Sequence, residues 1–267
     1  MPQSHSRKTV QAVVLRSAGT NCDVETAYAL KKAGAATKRV HINRLIEKPG
    51  RLARYHILAL PGGFSYGDDI ASGKLLANEL RCLLDESLRT FVADGKLIIG
   101  ICNGFQVLAK SGLLPGFRGN KAKTTLTTND SNRFEDRWVR LKAEETNCVF
   151  VQPGRDMELP VAHGEGKFVA EAETLADLER RKQVVVRYVG PNGKQGAGYP
   201  WNPNGSMRDI AGICDPTGRI FGLMPHPERH IEATRHPQWT RHPGAAEGDG
   251  LAVFRNAVEF ARANLLS

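Results

Sequence analysis

No stretch of this 267-residue sequence approaches the roughly 18 to 20 continuous apolar residues that a bilayer-spanning helix needs, which argues against a membrane protein. Cysteine is scarce and odd in number: Cys22, Cys82, Cys102, Cys148 and Cys214. They are scattered, with no C-x-x-C pair, which argues against a disulfide framework and points to free thiols in a reducing compartment, hence the cytoplasm. No His/Cys cluster has the spacing of a zinc site, so no metal is expected. Phosphate-binding loops are missing too. Gly67 to Lys74 ends in Gly-Lys but puts five residues between its glycines, and Leu75 stands where Ser or Thr would hold Mg²⁺. Gly196-Ala-Gly198 lacks the third glycine of a dinucleotide fingerprint. There is no internal repeat and no low-complexity linker.

What is present is ordinary for a globular protein: 41% hydrophobic and 24% charged residues, in a chain long enough to bury a substantial core. The net charge of +9 raises nucleic-acid binding. The basic residues are dispersed, however, with only short runs such as Arg180-Arg181-Lys182, and read as a solvated surface. Residues 1–9 are polar and basic with no apolar segment behind them, and are expected to be a flexible tail rather than a secretory signal. Two N-x-S matches, at Asn129 and Asn204, count as noise.

Hydrophobic periodicity predicts alternating strands and helices in the first half. Strands are expected at Val10 to Arg16, Lys38 to Ile42, His56 to Leu60 and Lys96 to Ile101. Helices are expected at Val24 to Ala33, Leu75 to Ala93 and Phe105 to Leu113. Such alternation implies an open, mostly parallel sheet with helices on both faces. After Gly119 the sequence turns β-rich, with strands predicted at 124–128, 138–142, 158–162, 184–189, 210–214 and 220–224. A helix over 249–266 closes the pattern. The expectation is a single α/β domain over 10–267, its β-rich second half packed on the same sheet.

The segment Leu97-Ile-Ile-Gly-Ile-Cys102-Asn-Gly-Phe-Gln106 carries the chemistry. An apolar strand runs into a cysteine bracketed by Gly100 and Gly104, and a helix starts at once. This is the cysteine form of the nucleophile elbow. Small neighbours are required where the chain doubles back, and a sulfur at a helix N-terminus is favoured as thiolate. A thiolate nucleophile needs an imidazole, and the imidazole needs a carboxylate to orient it. Two H-x-E pairs qualify, His226-Pro-Glu228 and His163-Gly-Glu165. Both follow predicted strands, and spacing leaves the choice open; the flanking prolines give His226 a slight advantage. Attack on an amide also creates an oxyanion. The backbone N–H of Asn103 is one candidate donor, and Pro61-Gly62-Gly63, at the end of another strand, is another.

With these pieces in place, the chain resembles the triad-type (class I) glutamine amidotransferases. The family's G-x-C-x-G-x-Q is met by Gly100, Cys102, Gly104 and Gln106, and its P-H-P-E by Pro225 to Glu228. Narrower features are similar to the glutaminases that serve phosphoribosylformylglycinamidine synthase in purine biosynthesis: Pro61-Gly-Gly-Phe-Ser-Tyr-Gly-Asp68, Asn132-Arg-Phe-Glu135, His163-Gly-Glu-Gly166 and Tyr199-Pro-Trp-Asn-Pro-Asn-Gly205. The resemblance implies a flavodoxin-like fold, with Cys102 as nucleophile, His226 as general base and acid, and Glu228 as its orienter. It assigns Gly62, Gly63 and Asn103 to the oxyanion site, lets Gln106 help hold glutamine, and leaves His163 and Glu165 a supporting loop. It also implies a synthetase partner carrying ATP and Mg²⁺, with a small accessory subunit, and no cofactor on this chain. The rivals are a glutaminase serving another synthetase, a γ-glutamyl hydrolase acting alone, and a non-catalytic binding subunit. Residues 231–249, rich in Pro and His, are expected to form a surface loop.

Overall fold

The computed structural model describes residues 9–116, 123–241 and 246–266. All of the expected N-terminal tail except Thr9 therefore lies outside the described residues, as do residues 242–245 of the Pro/His-rich loop.

The first half alternates as its periodicity predicts, with one helix, α2, beyond the sequence reading: β1 (Gln11–Arg16), α1 (Asp23–Lys32), β2 (Ala36–His41), α2 (Ile42–Glu47), β3 (Ile57–Leu60), α3 (Lys74–Leu83), α4 (Asp85–Ala93), β4 (Leu97–Ile101) and α5 (Asn103–Ser111). The helical stretch expected as one piece over 75–93 is two helices, broken at Leu84, whose φ of −128° is not helical. The second half supplies β5 (Thr124–Thr127), β6 (Glu135–Ala143), β7 (Asp156–His163), β8 (Lys167–Ala170), α6 (Ala172–Arg180), β9 (Val184–Val189), β10 (Ile210–Cys214), β11 (Ile220–Leu223) and α7 (Leu251–Leu265). In this half, strand β8 and helix α6 are additions to the sequence reading.

Nine strands form one sheet in the order β2-β1-β3-β4-β11-β10-β9-β6-β7. Strands β2, β1, β3, β4 and β11 are parallel neighbours, whereas β10, β9, β6 and β7 continue the sheet by antiparallel pairing. Only β10 and β6 oppose the common direction, so the sheet is mostly parallel. One expectation is corrected here: β5 does not join it. β5 pairs instead with β8 in a separate two-stranded sheet.

The central strands read as continuous apolar runs because both of their faces are covered. Every residue of β3, β4, β9, β10 and β11 is buried. Helix α7 keeps the amphipathic face that its sequence predicts, burying Leu251, Phe254, Val258 and Ala261.

The arrangement positions a site through three neighbouring parallel strands. β4 lies between β3 and β11 in register, with Leu60 opposite Gly100 and Leu223 opposite Ile101. The residues that follow β3, β4 and β11, namely 61–63, 102–103 and 224–228, therefore leave the sheet side by side at its carboxyl edge, where open α/β sheets place their ligands. Edge strand β7 is covered by the segment following β11. Pro160 O accepts from the N–H of His226 at 2.8 Å, and Glu158 O accepts from Nδ1 of His230 at 2.7 Å. An open edge is thus closed over the site.

Candidate active site

Cys102 occupies the turn between β4 and α5 with φ 52° and ψ −107°, a left-handed backbone that a non-glycine residue adopts only when its surroundings hold it there. Its N–H donates to Leu223 O at 2.8 Å, which ties the turn to β11. The bracketing glycines leave no room for a side chain. A Cβ on Gly104 would stand 1.9 Å from Leu60 O, and one on Gly100 would stand 2.6 Å from Gly104 O. The thiol is 5% exposed, and its Sγ lies 3.7 Å from the carbonyl oxygen of Ala162.

His226 and Glu228 sit in the Pro-rich turn that leaves β11. Nδ1 of His226 donates to Oε1 of Glu228 at 2.6 Å, and both side chains are buried. That bond fixes the tautomer and turns Nε2 toward the thiols. Nε2 is buried and has no hydrogen-bond partner. Burial acts to keep the ring neutral. The negative charge of Glu228 and the nearby Cys102 and Cys22 sulfurs outweigh it, and the His226 pKa is held well above the usual histidine range. The sequence-predicted trio is thereby brought together from two separate segments.

His163, the competing candidate, is engaged on both ring nitrogens. Nδ1 donates to Asn129 Oδ1 at 3.2 Å, and Nε2 accepts from Asn204 Nδ2 at 3.4 Å. The same Asn129 oxygen accepts from the N–H of Gly166 at 2.9 Å, which assigns it as the acceptor. Burial, with the charge on His226, drives the His163 pKa down to about 3, so this ring stays neutral. It holds the 163–166 loop and has no nitrogen to spare for proton transfer. Asn129 and Asn204, dismissed as glycosylation matches, are its buried partners.

Gly62 and Gly63 follow β3. A Cβ on Gly62 would stand 2.8 Å from Cε1 of His226, 3.1 Å from the Cys22 sulfur and 3.5 Å from Cβ of Cys102. Cysteine, imidazole and the Pro-Gly-Gly turn thus meet around one point. Gly63, at φ 141°, packs against the backbone of residues 19–21, where a Cβ would lie 2.7 Å from Gly19 O. The side chain of Asn103 is fully used. Its Oδ1 accepts from Ser65 N, and its Nδ2 donates to Asp68 Oδ1 at 3.1 Å and to Gln106 Oε1 at 3.0 Å. Gln106 in turn donates from Nε2 to Glu165 O at 2.6 Å. Both ends of the Gln106 amide are therefore committed to the protein.

Sequence reasoning missed one residue of this site. Cys22, read as an ordinary buried thiol, lies against the His226 ring, and its sulfur accepts from Nη2 of Arg229 at 3.2 Å. Potential ligand atoms of Cys22, His226 and Glu228 all lie within 4.8 Å of one another. Spacing along the chain predicts no metal-competent cluster, but the fold assembles one. Nothing local in Thr20-Asn21-Cys22 signals this, because the partners are about 200 positions away.

A family model described as the CobB/CobQ-like glutamine amidotransferase domain matches residues 9–261. A phosphoribosylformylglycinamidine synthase subunit PurQ of Dehalococcoides mccartyi is 51% identical over 254 residues, which is 95% of this chain and 98% of that protein. The PurQ subunit of Archaeoglobus fulgidus is 42% identical, over 95% of this chain and 98% of that protein. Among solved structures, PurLQS from Thermotoga maritima aligns at a TM-score of 0.72 with 32% identity, covering 95% of this chain and 99% of that one. A glutamine amidotransferase from the same organism, 17% identical with a TM-score of 0.50, shares the fold over 97% of this chain and 96% of its own. This chain belongs to the CobB/CobQ-like glutamine amidotransferase family and, within it, to that of the phosphoribosylformylglycinamidine synthase subunit PurQ.

Proposed function

We propose that this chain is the glutaminase of a phosphoribosylformylglycinamidine synthase, with Cys102 as its nucleophile. The observation that carries the residue roles is His226: Nδ1 is locked to Glu228 at 2.6 Å, while a partnerless Nε2 is buried beside the thiol. Nε2, buried beside the thiol, is placed to take the proton from Cys102, giving a thiolate and imidazolium pair.

The thiolate attacks the side-chain carboxamide carbon of glutamine. The backbone N–H groups of Asn103 and Gly63 meet the oxyanion, with Gly62 providing clearance beside them. The imidazolium of His226 gives its proton to the departing ammonia, leaving a γ-glutamyl thioester on Cys102. Neutral His226 then takes a proton from water, which attacks the thioester and releases glutamate and the free thiol. Gln106, whose amide is spent on Asn103 and Glu165, contributes by holding the 163–166 loop against the glutamine. Glu228 keeps the ring oriented and stabilises its charge.

Ammonia protonates in bulk water at neutral pH, so a glutaminase of this kind delivers it directly. Its receiver is the synthetase subunit, acting with a small accessory subunit. That partner, with ATP and Mg²⁺, converts formylglycinamide ribonucleotide to the amidine. Among the described residues no helix is long and apolar enough to cross a membrane. Together with the scattered cysteines this supports a cytoplasmic location.

The test is Cys102→Ala in the assembled complex. Glutamine hydrolysis and glutamine-dependent synthesis should both vanish, while synthesis from ammonium salts persists. Intact glutamine hydrolysis would remove Cys102 as nucleophile.

A further inference from the structure

The turn that carries the base and the turn that carries Gly62 and Gly63 follow different strands, and one residue outside both is bonded to each. Cys22, 1% exposed, stands at the entrance to α1. Its N–H donates to Gly62 O at 3.2 Å, and its sulfur accepts from Nη2 of Arg229 at 3.2 Å, three residues beyond His226. One turn into α1, Glu25 Oε1 accepts from Nε of the same guanidinium at 3.0 Å. The first turn of α1 therefore grips Arg229 by two of its nitrogens. The N–H of Arg229 donates to His226 O at 3.3 Å, so this grip anchors the short turn in which the imidazole sits. On its other side that turn rests on β7, where Pro160 O accepts from His226 N.

We propose that Cys22 is a positioning residue for the hydrolysis, holding the His226 turn at a fixed offset from the oxyanion turn through Arg229 on one side and Gly62 on the other. The inference rests on the roles given above to His226 and Gly63. A neutral thiol suits this work. Its S–H donates to Asn21 Oδ1 at 3.1 Å while the sulfur accepts from Arg229, so both capacities of the group are used. Burial pushes the Cys22 thiol above its ordinary pKa, which keeps that proton in place. Cys22 thus adds no second thiolate to compete with Cys102 for the imidazolium. Its carbonyl is equally committed, accepting from Thr26 N at 3.1 Å and Thr26 Oγ1 at 2.7 Å, which fixes the residue to the helix. The effect of Cys22 on the chemistry passes through Arg229.

The experiment measures glutamine hydrolysis in the assembled complex for C22A, C22S, R229Q and the double variant C22A/R229Q, with urea unfolding to give the folded fraction of each. C22A removes the acceptor for Arg229. Its kcat should fall about 10- to 100-fold, since a shift of about 1 Å in a catalytic group costs up to about 100-fold, while KM stays within about twofold. C22S, which keeps a donor and an acceptor, should recover most of that loss. R229Q should lose at least as much as C22A, and the double variant no more than R229Q alone, as for residues that act as one unit. Synthesis from ammonium salts should hold throughout. Nitrogen-15 NMR reads the clamp without glutamine: C22A should shift the imidazole resonances of His226 and leave those of His56, which precedes β3, unmoved. If C22A gives no cooperative melt, E25Q loosens the same guanidinium from a partly exposed position and should lower kcat and shift His226 likewise. An unchanged kcat, additive losses in the double variant, or unmoved His226 resonances overturns the proposal. A wild type that hydrolyses no glutamine, with the His226 shift still seen in C22A, would leave the clamp standing and remove the glutaminase reading instead.

Discussion

Gly62 stands so close to His226 that a methyl group in its place would lie 2.8 Å from Cε1 of the ring. Gly62 is not among the residues with positive φ, so alanine suits its backbone and the collision alone decides the outcome. Gly62→Ala should fold, at a cost of about 1 to 3 kcal/mol for crowding the buried ring. The displaced ring should lower kcat for glutamine by about 100-fold, since a shift of about 1 Å in a catalytic group costs that much. Unchanged glutamine turnover would mean that the imidazole works from another position.

Glu228→Gln keeps the shape of the acceptor and removes its charge. The largest influence raising the His226 pKa is then gone while burial remains, and the ring pKa should fall from its raised position. Glutamine hydrolysis should fall by roughly 10²- to 10⁴-fold, the range that positioned acid–base catalysis contributes. The stability consequence has a definite sign. A raised histidine pKa stabilises the fold most below the unfolded value of about 6.5, and this contribution is lost as pH rises through the folded pKa. The stability gap between wild type and Glu228→Gln should therefore narrow from pH 6 upward. Nitrogen-15 NMR of the imidazole, paired with urea melts across pH, checks both statements.

His163 predicts the opposite trend. Its pKa, pushed down to about 3 by burial, means that the unfolded chain binds a proton below pH 6.5 while the native ring does not. Stability from this group is full above the unfolded pKa and drains away as pH falls toward 3. At pH 4.5 the loss should amount to about 2.5 kcal/mol relative to pH 7. His163→Gln retains an amide able to reach Asn129 or Asn204 and carries no such proton. It should flatten that part of the acid slope in urea unfolding and leave the glutaminase pH profile near neutrality in place. A slope unchanged by the substitution would assign the acid sensitivity elsewhere.

Local features of the site were legible because their cause is local. Gly100 and Gly104 flank a doubled-back turn that admits no Cβ, and Pro225 and Pro227 stiffen the turn that carries His226. Periodicity located the buried parallel strands for a similar reason, since sandwiched strands must be apolar throughout. It passed over β8, whose four residues Lys167–Ala170 are too short to show a period, and α6, whose Thr174, Leu175 and Leu178 form a narrow buried stripe. Spacing could not separate His163 from His226. The difference between them lies in Asn129 and Asn204, which occupy both nitrogens of one ring and reach it only through folding. Cys22 illustrates the same limit: its neighbours Gly62, His226 and Arg229 come from three distant segments.

The turn after β10 ties the stability of the fold to the placement of His226. Asp215, 4% exposed, accepts from the N–H groups of Arg219 at 2.9 Å and Ile220 at 2.8 Å through Oδ1, and from Thr217 N at 3.0 Å and Thr217 Oγ1 at 2.7 Å through Oδ2. One carboxylate thus satisfies the donors that start β11, the strand whose exit carries His226. Asp215→Ala strands the buried N–H of Ile220 and leaves the donors of Thr217 and Arg219 to water, and an orphaned buried donor costs more than the bond it replaces. The expected loss is roughly 2 to 4 kcal/mol in urea unfolding. Asp215→Asn, which keeps one acceptor oxygen, should fall between. Because Asp215 touches neither the thiol nor the imidazole, the folded fraction of each variant should retain glutamine turnover within a few-fold of the wild type. A larger drop in turnover than in stability would show that strand β11 shifts register and moves the imidazole away from the sulfur.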